Sequence, residues 1–255
     1  MKNISFLLLV LVALVSCEKP SDCVESTGEF VSRDVLIDMP TANDSIKKIY
    51  VEKGIELIVS EGPIFKVTIQ TGSNLIDDIE VSREGNMLRL KDNTTCNWVR
   101  EFGQTKVLVT TPKLEEIYSK TDRNISSNGV LTFSKLKIVS VDDNADHLEG
   151  AGTGDFFINV NNNELQIESN NVSRFYLSGN TTLAKFLLWA GDSRIEAQNL
   201  NATNIEVFHR GSNDMTVKPL NSIYGVINST GNVILTNNPP TVNVQQLYQG
   251  HLIYN

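Results

Sequence analysis

Residues 191–211 read Gly-Asp-Ser-Arg-Ile-Glu-Ala-Gln-Asn-Leu-Asn-Ala-Thr-Asn-Ile-Glu-Val-Phe-His-Arg-Gly. Two short alternating pieces, Ile195-Glu-Ala197 and Ile205-Glu-Val207, are joined by the polar run Asn199 to Asn204 and closed by a glycine at each end. Alternation with period two marks strands that bury one face. The unit recurs on both sides. Asn124, Asn144, Asn171, Gly191, Gly211, Gly231 and Gly250 stand 20, 27, 20, 20, 20 and 19 residues apart. The 27-residue step reads as one unit carrying a seven-residue insertion around Gly150 to Asp155. Asn and Gly most readily adopt φ > 0, so they suit a corner that returns once per turn. A fixed period near 20 with short strands predicts an all-β chain wound as a parallel β-helix.

Toward the amino terminus the alternation continues in Ile49-Tyr-Val51, Ile55-Glu-Leu57-Ile-Val59, Phe65-Lys-Val67-Thr-Ile69, Met87-Leu-Arg-Leu90 and Val107-Leu-Val109. Turn signals at Lys53-Gly54, Ser60 to Pro63, Gly72-Ser73-Asn74 and Glu84-Gly85-Asn86 separate them. These strands are expected to form a meander that caps one end of the solenoid, whose coils begin at Leu114. Pro239-Pro240 and Leu247 to Tyr254 are expected to close the other end, since Pro cannot donate to a ladder. Stacked coils lie about 4.8 Å apart. Asn124, Asn144 and Asn171 are therefore expected to bond amide to amide in a column.

At the amino terminus, Lys2 precedes an apolar run from Ile4 to Val15, the pattern of a signal peptide. That run is shorter than the roughly 20 residues a spanning helix needs. Leu14-Val15-Ser16-Cys17 resembles a bacterial lipobox, which predicts removal of residues 1–16 and a lipid on Cys17. Residues 17–45 are expected to be anchor and tether, and 46–255 a single head domain. Cys23 and Cys96 then remain as a candidate disulfide pair in an oxidising envelope compartment. Net charge is −8, or −9 once Lys2 is removed, and Lys47-Lys48 is the only adjacent basic pair. That balance argues against nucleic acid or an anionic bilayer surface as a partner.

The run Gly54 to Val59, the strand Val67 to Ile69, Asn86 to Leu90 and Val107 to Ile117, followed by coils cornered at Gly191, Gly211 and Gly231, resemble the "putative autotransporter-adhesin head GIN domain" family of Bacteroidetes-type lipoproteins. The resemblance covers roughly residues 46–238. It implies a right-handed β-helix in the outer-membrane region of the envelope, facing the periplasm or the surface. The family usually carries Gly-Ser-Gly at its corners. This chain departs with Asp122-Arg-Asn124, Asp143-Asn144-Ala145 and Asn170-Asn171-Val172.

Catalytic signatures are missing: there is no Gly-x-Ser-x-Gly elbow, His-Glu-x-x-His or P-loop. His147, His209 and His251 fall at different offsets from their corners, so no shared metal site and no cofactor are expected. Asp122 and Asp142 are one 20-residue period apart and are expected to stack, with Asp143 and Asp146 beside them. Carboxylates about 5–5.5 Å apart serve retaining glycoside hydrolysis. Acidic clusters also bind calcium, and Arg123 would supply the base of a lyase. An Asp at a corner equally satisfies a local Asx-turn, so no catalytic residue is assigned.

Binding asks for less. Trp98 in the loop 92–105 and the pair Trp189 and Phe208 beside consecutive corners are candidate stacking groups, with Tyr176 and Tyr224 as further aromatics. Aromatics at repeated positions also pack cores, and a Trp near a loop also covers an open core end. The expected function is a non-enzymatic, adhesin-like envelope lipoprotein that binds a glycan or a protein. A docking subunit of an envelope assembly is the alternative, and a polysaccharide lyase or hydrolase using the corner aspartates a further one.

Overall fold

A computed structural model describes residues 23–38, 45–94, 97–101, 103–143 and 148–255. The signal segment, Cys17, Cys96, Phe102, Asn144, Asp146 and His147 lie outside the described residues. The first strands are β1 (Phe30–Val35), β2 (Lys48–Val51), β3 (Ile55–Glu61), β4 (Lys66–Gly72), β5 (Ile79–Glu84) and β6 (Met87–Asp92). Then come β7 (Thr105–Thr111), β8 (Glu116–Ser119), β9 (Ile125–Ser127), β10 (Lys135–Ser140), β11 (Phe156–Ser169) and β12 (Arg174–Leu188). The last are β13 (Arg194–His209), β14 (Met215–Val217), β15 (Pro219–Ile227), β16 (Val233–Leu235), β17 (Thr241–Gln246) and β18 (Leu252–Tyr254). All belong to one sheet, nearly closed around a single apolar core.

Two parallel ladders make up most of that sheet. One runs β7, β3, β9, the first half of β11, β12 and β13, then β14, β16 and β18. The other runs β6, β2, β8, β10, the second half of β11, β12 and β13, then β15 and β17. Inward residues form columns such as Phe156, Phe175, Ile195, Met215, Val233 and Leu252. Successive members of that column are 18 to 20 residues apart, which is the period the sequence predicts. Phe156 and Phe175 stack with ring centroids 4.6 Å apart, and both are fully buried. Each such side chain stabilises the fold by about 1.5–3 kcal/mol.

The amino-terminal half is more than the expected meander. β1 and β4, and β5 against β6, do pair antiparallel. However, β2 and β3 are inserted as a parallel rung between β6–β7 on one side and β8–β9 on the other. Parallel pairing therefore begins at Lys48 rather than Leu114, and the strands do not follow one another across the sheet in chain order. β1 also brings residues 30–35, read as tether, into the sheet.

The corner ladder is present, and the expected positive φ accounts for part of it. Of its glycines Gly191 takes a positive φ, +78°. At Gly231 the constraint is proximity: a Cβ there would meet Asn213 O at 2.2 Å. The insertion is also real, since β10 and β11 pair at a step of 29 residues (Ile138 with Ile167). The inserted chain lies directly on the carbonyls of Ser119, Lys120 and Arg123 at Gly152, Gly150 and Gly154. Gly152 O accepts hydroxyl bonds from Ser140 and Ser173, and Ser169 bonds Ser193 at 2.7 Å, so buried serines fasten this corner. Asn144 of the expected asparagine column lies outside the described residues; two separate amide pairs join neighbouring rungs, Asn201 donating to Asn180 and Asn221 to Asn204, both at 3.1 Å.

Candidate functional site

The site grows from strand alternation on the outer face of the first ladder. In β11, Phe156 and Ile158 point inward, so Phe157 and Asn159 point out. The parallel register sets Phe157 beside Tyr176, and Tyr176 beside Glu196. The two rings stack with centroids 4.9 Å apart and planes 8° apart, and 43% of Phe157 and 37% of Tyr176 remain exposed. Between Tyr176 and Ser178 the register against β13 slips by one residue. Such a bulge sets two residues opposite one and bends the strand. Gln198 and Asn199 thereby both line the groove that Phe157 and Tyr176 wall on the other side.

That groove has a volume of about 290 Å³. One side is aromatic, its column continued by Glu196, and the other carries Asn159, Ser178, Gln198 and Asn199. Arg194 Nε bonds Glu196 Oε1 at 2.5 Å and orients its carboxylate. Amides and hydroxyls offer donors and acceptors together, and a carboxylate only accepts. An apolar wall facing a polar one matches a molecule with a C–H face and a hydroxyl rim.

The anticipated stackers are distributed over the surface. Trp189 and Phe208 do meet, centroids 5.0 Å apart and tilted by 45°, on the second ladder beside the corner column. Trp98 is 78% exposed, so it does not cover a core end, and its backbone N–H donates to Cys23 O at 2.9 Å. Cys23 is disulfide-bonded.

The corner aspartates do not form a matched pair. Ile117 aligns with Ile138, a step of 21, so Asp122 and Asp142 fall out of register. Asp122 Oδ1 accepts the Gly54 N–H at 2.9 Å, and Oδ2 lies 3.1 Å from Arg123 Nε. Asp142 Oδ1 faces the buried Lys120 Nζ at 3.5 Å, and that ammonium also donates to Asp143 O at 3.0 Å. Asn170 Oδ1 accepts the Asp142 N–H at 2.7 Å. These groups fasten neighbouring rungs. Asp122 and Arg123 also edge a cleft of about 410 Å³ shared with Lys53, Asp92 and Arg100. Burial pushes the Asp92 carboxyl up, partly offset by the Thr94 hydroxyl and N–H that it accepts. Among the described residues no group of three or more His, Cys, Asp or Glu is placed to hold a metal ion.

Stacked rungs with an open outer groove define the class, an all-β module that presents a surface. The chain belongs to the family described as "Putative auto-transporter adhesin, head GIN domain", whose model matches residues 46–239. Its fold is similar to that of a putative adhesin from Bacteroides fragilis NCTC 9343, with 20% identity, 91% of this chain and 100% of that one covered, and a TM-score of 0.76. A putative adhesin from Parabacteroides distasonis ATCC 8503 aligns with 12% identity, the same coverage and a TM-score of 0.64. A protein of that organism named "Putative lipid binding protein" aligns with 12% identity over 90% of this chain and 99% of that one, with a TM-score of 0.61. No curated protein matches the chain.

Proposed function

We propose that this protein is a non-enzymatic, adhesin-like binding module of the bacterial cell envelope, and that its groove beside Phe157 and Tyr176 takes a glycan. The observation that carries this reading is the stacked, half-exposed ring pair facing a wall of amides and hydroxyls. The C–H face of a sugar ring packs on aromatic carbon, and its hydroxyls exchange hydrogen bonds with Asn159, Ser178, Gln198 and Asn199. The family description and the adhesin names of structural neighbours support the same class of role. In this reading the rungs wind as a right-handed parallel β-helix, and a lipid on Cys17 holds the domain at the membrane.

Glycan-array binding tests the proposal. The expected result is retention of at least one glycan class by the native chain and its loss in Tyr176→Ala. Failure on every glycan, together with a stoichiometric protein partner recovered from solubilised envelopes, would replace it with the docking-subunit role.

A further inference from the structure

Charged side chains stop at Lys218. Residues 219–255 contain no Asp, Glu, Lys or Arg, although these make up 20% of the chain and leave it at −8. This segment forms β15 to β18, the last rungs of both ladders. Earlier rungs of the second ladder are laced by ion pairs, Lys48–Glu116, Lys137–Glu168 and Lys185–Glu164. Among the described residues no strand pairs with the outward edge of β17 or β18. Leu247, Tyr248 and Tyr254 are more than half exposed there. Proteins usually blunt an open edge with charge, Lys above all, because its unpaired N–H and C=O groups template another strand. This edge has no such charge.

We propose that the outward edge of β17 docks a second copy of this chain, strand against the same strand, antiparallel across a two-fold axis. A two-fold contact sets each surface against itself. Leu247 N–H donates inward, to Ile227 O at 2.8 Å. Alternate residues of a strand direct their backbone groups to opposite sides. Val242, Val244 and Gln246 therefore direct theirs outward. An axis at Val244 pairs that residue with the partner's Val244, and Val242 with the partner's Gln246, giving three hydrogen-bonded pairs.

Electrostatics selects the occupant. Two net-acidic copies repel wherever their charged faces meet, whereas this contact joins rungs built from residues 219–255, which carry no Asp, Glu, Lys or Arg. A strongly charged partner would find no opposite charge at this end. Val244 and Leu252, packed on the core but still partly open, become covered in the pair.

The test is the particle mass of the full chain in mild detergent by light scattering, with detergent mass subtracted. The expected result is two chains per particle for the native protein. Val244→Pro removes an outward N–H, a change that edge strands tolerate, and keeps an apolar ring where the partly buried valine packs on the core. Val242→Lys places an ammonium that reaches water at a free end but is buried and unpaired in the pair. Both variants should give one chain per particle with an unchanged far-ultraviolet spectrum. If the Pro variant fails to fold, the Lys variant decides. One chain per particle in the native protein overturns the proposal. So does retention of two chains in the folded variants, which is the behaviour of two anchors sharing a micelle.

Discussion

Gly231 rests on His209: a Cβ at Gly231 would stand 2.6 Å from the Nε2 of that imidazole, on the rung below. His209 is fully buried, and its Nδ1 accepts the Gly211 N–H at 3.4 Å. This corner therefore ties three features together, namely the glycine ladder, the rung spacing and a neutral buried ring.

Gly231→Ala should destabilise the protein by about 1–3 kcal/mol, the usual cost of overpacking, because the new methyl also meets Asn213 O at 2.2 Å. Gly211→Ala should cost less, since its nearest neighbours stand at 3.3 and 3.4 Å. Urea unfolding of the two variants checks the order. Equal midpoints would contradict the account of the corner.

Stability should depend on pH through His209. Burial lowers its pKa from 6.5 to about 4. Above pH 6.5 the ring is neutral folded and unfolded, and it contributes no slope. Between 6.5 and about 4 the unfolded chain binds the proton and the native one does not, so stability falls as pH falls. Below about 4 both states are protonated and the loss levels off. The full loss is about 3 kcal/mol, from roughly 1.4 kcal/mol per unit. His209→Leu, matching its neighbours Leu188 and Ile227 in register, should flatten that part of the profile measured by thermal melts. A slope unchanged in the variant would assign it to other groups.

Glu52 is fully buried, ion-paired to Arg89 Nε, and its Oε2 accepts the Glu149 N–H at 3.0 Å. The carboxylate holds the guanidinium pKa above its usual value. Arg89→Met should cost about 3 kcal/mol, because it leaves a buried charge uncompensated. Glu52→Gln combined with Arg89→Met should recover part of that loss in chemical denaturation. A double variant no more stable than Arg89→Met alone would argue against a charge-driven cost.

Unreduced peptide mapping of the mature chain should show Cys23 joined to Cys96 and a first residue, Cys17, heavier by the mass of its lipid. Cys23 is bonded, and its carbonyl lies against the Trp98 N–H, two residues from Cys96. Reduction should lower stability by about 2–4 kcal/mol. A free thiol at Cys96 would contradict the pairing, and an unmodified Cys17 would contradict the anchor.

Much of the architecture was legible because each rung repeats its local chemistry. The corner series from Asn171 to Gly250 marks real stacking, since a side chain at Gly231 would strike the rung beneath. Rung order in the amino-terminal half was not legible. Leu57 pairs with Ile125 across 68 residues, and the alternation around Leu57 is the same whether its neighbour runs parallel or antiparallel. The aspartate pairing failed on a single residue of register, since the local step is 21 rather than 20. Half of the groove was within reach: Phe156-Phe157 and Phe175-Tyr176 lie one rung apart, and period two sends the second member of each outward. Gln198 and Asn199 were not, because their place depends on a bulge that leaves no mark in the alternation.

The most direct test of the binding claim is calorimetric titration of a captured glycan into the native chain, Tyr176→Ala and Trp189→Ala. The account predicts that Tyr176→Ala weakens binding at least about tenfold, or roughly 1.4 kcal/mol, while Trp189→Ala binds as the native chain does. Native affinity in Tyr176→Ala, with the loss falling on Trp189→Ala, would move the site to the other ladder and contradict the central claim.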